Sequence, residues 1–194
     1  MGIVSGCSIK NIDPKDFKEN TSDLKNKLSR MRLPDIEFSN SIINENLINS
    51  LDKKTSILCY YPLLSEPDIK PSIKQWLAKK YTISLPRIED ENFQCYKINN
   101  LSKDNLIKSS FGVWEPNPDS CELISSESID TILVPGLGFT QNGERLGRGG
   151  GYYDKFLATC KSRTKLIGIC FKEQIIHNLP REKHDHLVTN IVTA

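Results

Sequence analysis

The sequence predicts an α/β fold in which helices cover both faces of a mainly parallel sheet, a three-layer α/β/α arrangement. Two observations predict it. Short apolar strands alternate with helical patterns, and residues 129–134 form a largely apolar run, which is typical of a strand covered on both faces. The chain of 194 residues has the length of one domain. We expect that domain to span residues 21–194, behind a polar and mobile arm over residues 1–20.

Two helices are predicted before the first strand. Leu24, Leu28 and Met31 recur at spacings of four and three, and Pro34 ends this first helix. A second helix is predicted over residues 38–51. These two helices would supply part of the helical cover of the sheet.

The rest of the chain alternates strands and helices. Pro62 and Pro86 are each expected to end a strand, and Trp76 to lie on the buried side of the helix between those strands. The predicted elements are a strand over 57–61, a helix over 69–79, strands over 81–85, 93–98 and 129–134, a helix beginning near 152 and a strand over 166–171, with a short helical piece in the polar connection 99–110.

Charge and apolar pattern exclude several classes of protein. With 26 basic and 24 acidic residues the net charge is +2, and no concentrated basic surface suits nucleic acid. No apolar stretch reaches the roughly 18 residues of a membrane span, and no secretory signal is evident. The six cysteines are far apart, which favours buried thiols in a reducing compartment over a zinc site. We expect a cytoplasmic protein that is a monomer and has neither a nucleic-acid nor a membrane partner.

A glycine-rich loop before the helix at residue 152 carries the candidate chemistry. Gly147 and the triplet at 149–151 allow backbone N–H groups to converge on an anion, and the start of the helix adds positive charge. Arg145 and Arg148 carry forked donors that suit phosphate oxygens. The loop therefore predicts a phosphate site.

Asp154 follows in the first turn of that helix. A carboxylate there either favours the helix dipole or holds a magnesium ion against phosphates. A flexible surface loop with an ordinary first-turn Asp is the alternative, because the residues match neither the P-loop nor the dinucleotide fingerprint.

The order of residues around the loop is more specific than its composition. It resembles the signature of the 5-formyltetrahydrofolate cyclo-ligase family, also called 5,10-methenyltetrahydrofolate synthetases, in the series Val134-Pro135-Gly136-Leu137-Gly138-Phe139, Gly143, Arg145-Leu146-Gly147-Arg148-Gly149, Gly151-Tyr152-Tyr153-Asp154 and Leu157. The resemblance runs from about residue 24 to the end, and its other matches are Tyr61-Pro62, Glu66, Leu85-Pro86-Arg87, Glu115-Pro116, Phe171-Lys172-Glu173-Gln174, Leu179-Pro180 and His184-Asp185.

The resemblance implies an enzyme that converts 5-formyltetrahydrofolate and ATP into 5,10-methenyltetrahydrofolate, ADP and phosphate, with Mg²⁺ as cofactor. It implies catalytic roles for Arg148 and Tyr152 and magnesium ligation by Asp154 and Asp185. The implied ATP contacts are Lys25, Arg145, Leu146, Gly147, Arg148, Gly149, Gly150, Gly151, Tyr152 and Tyr153. The implied folate contacts are Tyr61, Glu66, Arg148, Gly149, Gly150, Gly151 and Tyr152.

The sequence departs from the family pattern at two places. Family members usually direct a Lys and, four residues later, an Arg at ATP from the first helix, whereas this chain has Thr21 and Lys25 there. Thr189 stands where an aspartate is common. A non-catalytic homologue that binds folate or nucleotide is therefore the alternative function. A sugar-phosphate isomerase is a third hypothesis, but we find no carboxylate and lysine near the loop to assign to it.

Overall fold

The computed structural model of the protein describes residues 21–30, 35–51, 55–110, 112–179 and 185–194. The arm predicted over residues 1–20 lies outside these residues, as do Met31 and Pro34. The division of the chain into an arm and one domain therefore stays a prediction.

A seven-stranded sheet forms the centre of the fold. The described residues form eleven strands, of which seven belong to this sheet, while β4 pairs with β5 and β8 with β9 in two small sheets. The strands are β1 (Ser56–Leu58), β2 (Thr82–Glu89), β3 (Asn92–Ile98), β4 (Leu106–Lys108), β5 (Trp114–Pro116), β6 (Glu122–Ile124), β7 (Thr131–Pro135), β8 (Gly138–Phe139), β9 (Arg145–Leu146), β10 (Lys165–Cys170) and β11 (Asn190–Thr193). Their order in the large sheet is β11-β10-β7-β1-β2-β3-β6. The five strands from β11 to β2 are parallel, and β3 and β6 are antiparallel additions at one edge. The mainly parallel sheet is confirmed.

Helices cover both faces of this sheet. The helices are α1 (Thr21–Ser29), α2 (Ile36–Ser50), α3 (Lys70–Ala78) and α4 (Tyr152–Leu157). The cover consists of α2 and α3 on one face and α4 on the other, whereas α1 packs against the loop after β7. Successive side chains of a strand point to opposite faces. Accordingly Ile57 lies in the buried cluster with α2 and α3, while Leu58 lies in the cluster with α4. The three-layer arrangement is therefore confirmed. Among the described residues, no helix is long and apolar enough to cross a membrane.

Pro86 does not end its strand, contrary to the prediction. β2 continues to Glu89 and forms a hairpin with β3. Its pairing with β1 reaches only Ser84, so beyond that residue one side of the strand is free of ladder bonds. A proline is tolerated there because its missing N–H can face the unpaired side.

The short helical piece predicted within residues 99–110 is also wrong. That segment makes turns and then β4, which pairs with β5. The Asn105 side chain accepts hydrogen bonds from the backbone N–H groups of Asn99 (2.9 Å) and Asn100 (3.1 Å). Such side-chain bonds offer the backbone an alternative to a helix, which explains the turn.

Candidate active site

The candidate site lies where β1 and β7 end. These strands are adjacent and parallel, so their carboxyl ends meet at one edge of the sheet, the position where ligands gather in open α/β folds. The chain leaves β1 through residues 59–69 and leaves β7 through residues 136–151. Both loops were predicted to carry site residues, and the sheet brings them together.

The loop after β7 begins as a small hairpin of β8 and β9. Leu146 of this hairpin is buried together with Leu24 and Leu28 of α1, and Leu137 completes the contact from the start of the loop. The side chain of Leu146 thus packs α1 against the loop. Any contact of Leu146 with ATP would come from its backbone.

This packing places Lys25 beside the triplet of glycines. A Cβ built on Gly149 would lie 3.1 Å from Lys25 Nζ, and Gly149 has a φ of +104°, which side-chain-bearing residues rarely adopt. Gly149, Gly150 and Gly151 are all exposed. Lys25, which stands where the family usually has an arginine, is therefore brought to the predicted phosphate loop.

Arg145, where the loop begins, and Asp154, in the helix that follows it, form an ion pair. Arg145 Nη2 donates to both carboxylate oxygens of Asp154, at 2.9 and 2.8 Å. The side chains are only 6% and 18% exposed. The Arg145 guanidinium also lies 5.6 Å from the ring centre of Tyr153, within the range of a cation–π contact. The family resemblance implied separate roles for these two residues, and the structure pairs them.

Arg148 joins the two loops of the site. Its Nη2 donates to Ser65 Oγ at 2.8 Å and lies 3.4 Å from Glu66 Oε1. The Arg148 side chain is 45% exposed, whereas that of Glu66 is 8% exposed. Two residues predicted to bind folate are therefore in contact across the loops. Ser65 was missed by the sequence reasoning, where its only signal was its place beside Glu66.

Glu66 is a largely buried carboxyl group held by a turn. Its Oε2 accepts a hydrogen bond from the Leu63 N–H at 3.0 Å. Burial raises the pKa of Glu66, and the Leu63 N–H and the positive charge of Arg148 partly offset that rise. A carboxylate oxygen can accept more than one hydrogen bond, so the fixed group could still accept from N–H donors of a ligand.

Tyr153 is influenced by both Glu66 and Arg145. Its hydroxyl is buried and has no hydrogen-bond partner among the described residues. Burial raises the pKa of Tyr153, and the negative charge of Glu66 raises it further. The ring thus contacts Arg145 while the electrostatic influence of Glu66 reaches the same residue.

Two aromatic rings stand near the end of β1. Tyr61 and Trp114 have ring centres 6.5 Å apart at an interplanar angle of 49°, and Lys70 Nζ lies 5.5 Å from the centre of the Tyr61 ring. Both rings are half-buried. The sequence reasoning identified Tyr61 but missed Trp114, whose neighbours Glu115 and Pro116 carried the match.

The side chain of Tyr152 borders a different space. It lies against Gly150, where a built Cβ would be 2.7 Å from its ring, and it lines a cavity of about 580 Å³. The cavity runs between α4 and the strands β3 and β6, with Phe93, Ile124 and Lys155 among its walls. The predicted catalytic role of Tyr152 remains untested by this placement.

The described residues fit magnesium only as part of a larger ligand set. Within the five described ranges, no group of three or more His, Cys, Asp or Glu residues could hold a metal ion. Magnesium at nucleotide sites commonly takes one or two carboxylates and completes its shell with phosphates and water. Asp154 suits such a shared site, although Arg145 bonds both of its oxygens. The magnesium roles of Asp154 and Asp185 stay predictions.

Comparison with known proteins gives a consistent result. Residues 15–194 match the 5-formyltetrahydrofolate cyclo-ligase family. A 5-formyltetrahydrofolate cyclo-ligase from Mus musculus is 25% identical over 182 residues, which is 88% of this chain and 90% of the relative. The structure of a 5,10-methenyltetrahydrofolate synthetase from Aquifex aeolicus is 31% identical with a TM-score of 0.76, covering 89% of both chains.

A more distant structure agrees in fold. The 5,10-methenyltetrahydrofolate synthetase from Mycoplasma pneumoniae has a TM-score of 0.68 at 18% identity, covering 89% of this chain and 94% of the other. At that identity the likeness supports the fold alone. The match over residues 15–194 confirms the predicted family, and the two structures confirm the fold class.

Proposed function

This chain belongs to the 5-formyltetrahydrofolate cyclo-ligase family, and from that premise we propose that it uses ATP to convert 5-formyltetrahydrofolate into 5,10-methenyltetrahydrofolate, ADP and phosphate. One observation carries the proposal. Arg148 of the glycine-rich loop contacts Ser65 and lies 3.4 Å from Glu66 of the loop after β1. A phosphate-binding loop and a folate-binding loop thus share one guanidinium.

The reaction needs activation of a poor electrophile. The N-formyl group is a resonance-stabilised amide, so N10 of the same folate does not attack it unaided. Transfer of the γ-phosphoryl group to the formyl oxygen creates a leaving group. N10 then bonds to the formyl carbon, phosphate departs with that oxygen, and N10 loses its proton. The protein contributes alignment and charge neutralisation to such a transfer.

The positive charge for the phosphates comes from the loop and from α1. Arg148 and Lys25 carry the cationic groups near the exposed glycines, and the backbone N–H groups of residues 147–151 add donors. Helix α4 has only six residues, so its dipole adds less than a long helix would. Arg148 is assigned the catalytic role because a guanidinium in this loop can neutralise the charge that develops on the transferred phosphoryl group.

The folate would lie on the side of Glu66 and Tyr61. The buried Glu66 carboxylate is held at a fixed position by the Leu63 N–H and can accept from N–H donors of a pterin ring. Tyr61 and Trp114, beyond the end of β1, offer aromatic faces to the same ligand. Tyr152 is proposed to act from the α4 side of the same loop.

A magnesium ion, when bound, would neutralise phosphate charge at Asp154, with Asp185 as the second proposed ligand. The chain's own contribution is visible at Asp154, since Arg145 fixes its carboxylate at the start of α4. Cytoplasmic location and a monomeric state also stay predictions. One relative from Arabidopsis thaliana, 31% identical over 126 residues, is named as mitochondrial.

The test is direct formation of product. Purified protein is mixed with 5-formyltetrahydrofolate and magnesium, with or without ATP, and the absorbance of the methenyl product is followed. We expect product only with ATP. Folded protein that binds the folate and ATP but forms no product would instead favour the alternative, a non-catalytic folate or nucleotide-binding homologue.

A further inference from the structure

We propose that Arg87 is a positioning residue for the folate, and that it acts by holding Trp114 in place beside Tyr61. The inference rests on the proposed function, since these two rings lie on the side proposed for the folate. It also gives a role to Leu85-Pro86-Arg87 and Glu115-Pro116, two matches of the family resemblance that the proposed function does not use.

Arg87 connects the main sheet to the small sheet of β4 and β5. It lies in β2 beyond Ser84, where the pairing with β1 has ended. Its Nη1 donates to Glu115 Oε2 at 3.4 Å and to the carbonyl oxygen of Pro116 at 3.3 Å. Its Nε donates to Glu89 Oε1 of the same strand at 2.8 Å, which fixes the direction of the guanidinium. One side chain of β2 thus contacts two consecutive residues of β5.

The Glu115 carboxylate depends on Arg87 because it is largely buried. The side chains of Arg87 and Glu115 are 19% and 10% exposed. Burial raises the pKa of Glu115, and the positive charge of Arg87 and the N–H of Ile88 partly offset that rise. Removing one partner of a buried pair leaves the other charge uncompensated, which is strongly unfavourable. Without Arg87, a shift of β5 that brings Glu115 to water is therefore favoured.

Trp114 is the residue before Glu115, so the position of β5 determines where its ring lies. The ring centres of Trp114 and Tyr61 are 6.5 Å apart. β5 has three residues and pairs with the three residues of β4 in a separate small sheet. A two-stranded sheet is marginally stable by itself, so its position depends on contacts with the rest of the fold. Trp114 also packs against the main apolar cluster, but such packing has no preferred direction, whereas the Arg87 contacts specify one position.

A double-mutant cycle on folate binding tests the inference. Arg87→Met, Trp114→Leu and the double variant are titrated with 5-formyltetrahydrofolate without ATP, and binding of a non-hydrolysable ATP analogue is measured separately. Loss of an aromatic face should weaken folate binding about three- to tenfold, and Arg87→Met should weaken it to a similar degree. If Arg87 acts through Trp114, the double variant lies within about twofold of the worse single variant. Binding of the ATP analogue should stay unchanged, which a general loss of structure would not allow.

Two further variants control for charge. Glu115→Gln keeps the shape of the side chain but removes the charge that Arg87 pairs with, and it should weaken folate binding in the same direction. Lys97→Met removes the cation of an exposed pair with Glu122, and as the matched control it should leave folate binding unchanged. Losses that multiply in the double variant would overturn the inference. Equal weakening of folate and ATP-analogue binding by Arg87→Met would do the same.

The fluorescence of Trp114 gives a readout that needs no ligand. The chain has two tryptophans, and Trp76 is buried with an Nε1 that has no hydrogen-bond partner among the described residues. Trp76→Phe therefore gives up no hydrogen bond of that group and leaves Trp114 as the single tryptophan. In this background Arg87→Met should shift the emission of Trp114 to longer wavelength and increase its quenching by acrylamide, whereas Lys97→Met should change neither. Unchanged emission and quenching with Arg87→Met would contradict the inference.

Failure of the proposed function gives a different result. A parent protein that binds 5-formyltetrahydrofolate but makes no methenyl product would refute the proposed reaction, while the cycle and the fluorescence would still decide the role of Arg87. A parent protein that binds no folate would refute both.

Discussion

The two arginines of the glycine-rich loop are held in opposite ways. Arg145 is 6% exposed and bonded to both oxygens of Asp154, whereas Arg148 is 45% exposed and reaches across to Ser65 and Glu66. They are three positions apart and chemically identical. From this difference we expect Arg145 to act mainly on stability and Arg148 mainly on a ligand. Substitutions of Arg145 should therefore change mainly the free energy of unfolding, and substitutions of Arg148 mainly the turnover.

The largest effect is expected at the exposed Arg148. Arg148→Lys keeps the charge but loses the forked geometry that suits a phosphoryl group in transfer. Turnover should fall roughly a hundredfold, with a milder change in folate binding. Steady-state kinetics and equilibrium folate binding on the same variant measure both. Unchanged turnover with weakened binding would make Arg148 a docking residue.

The second prediction concerns Arg145, whose substitution should lower the free energy of unfolding. Arg145→Ala leaves Asp154 without its partner and opens space beside Tyr153, so the free energy of unfolding without nucleotide should drop by about 2–3 kcal/mol. Arg148→Ala removes a half-exposed side chain whose distance to the buried Glu66 carboxylate is a long 3.4 Å, and should change it by about 1 kcal/mol or less. Urea unfolding measures both variants. Equal losses at the two positions would remove the distinction between the two arginines.

A smaller effect is expected at Lys25, which reaches from α1 to Gly149 of the glycine-rich loop. Lys25→Met should weaken binding of a non-hydrolysable ATP analogue about three- to tenfold, because the half-buried cation beside Gly149 of the proposed phosphate loop is lost. Lys27→Met, two positions along the same helix at an exposed residue, is the matched control. Equal weakening by both variants would show that the loss of net positive charge, and not the position of Lys25, explains the effect.

The smallest effect concerns pH and Glu66, the partner of Arg148. Burial raises the pKa of Glu66 in the folded protein, so the folded state holds its proton at a pH where the unfolded chain has released it. This contribution to stability is present below the ordinary pKa of a glutamate and is lost as pH rises through the raised value. Glu66→Gln should therefore flatten the pH dependence of urea unfolding just above pH ~4.5. A profile identical to that of the parent would show that Glu66 does not titrate in this way.

The sequence predicted the fold better than the contacts of the site. Apolar runs such as residues 129–134 specify a covered strand, and the alternation of elements specifies a mainly parallel sheet. Pro86 misled the prediction, because its effect depends on whether the strand beside it is paired at that point, which is a property of the whole sheet. β11 was not predicted, since its residues are only half-buried or exposed and show no apolar run.

The residues of the site were found more readily than their partners. Arg145, Asp154, Arg148 and Glu66 were all identified from the order of residues along the chain. Their pairing depends on the directions of side chains from different elements, which sequence spacing does not give. Trp114 and Ser65 were missed for the same reason, because each becomes part of the site only through a neighbour that is distant in sequence.

The path of the formyl oxygen tests the central claim most directly. 5-Formyltetrahydrofolate labelled with oxygen-18 in its formyl group is incubated with the protein, ATP and magnesium, and the released phosphate is analysed by mass spectrometry. Transfer of the γ-phosphoryl group to the formyl oxygen predicts one labelled oxygen in the phosphate for each methenyl product formed. Product formation with unlabelled phosphate would show that ATP is cleaved without activating the formyl group, and would contradict the account.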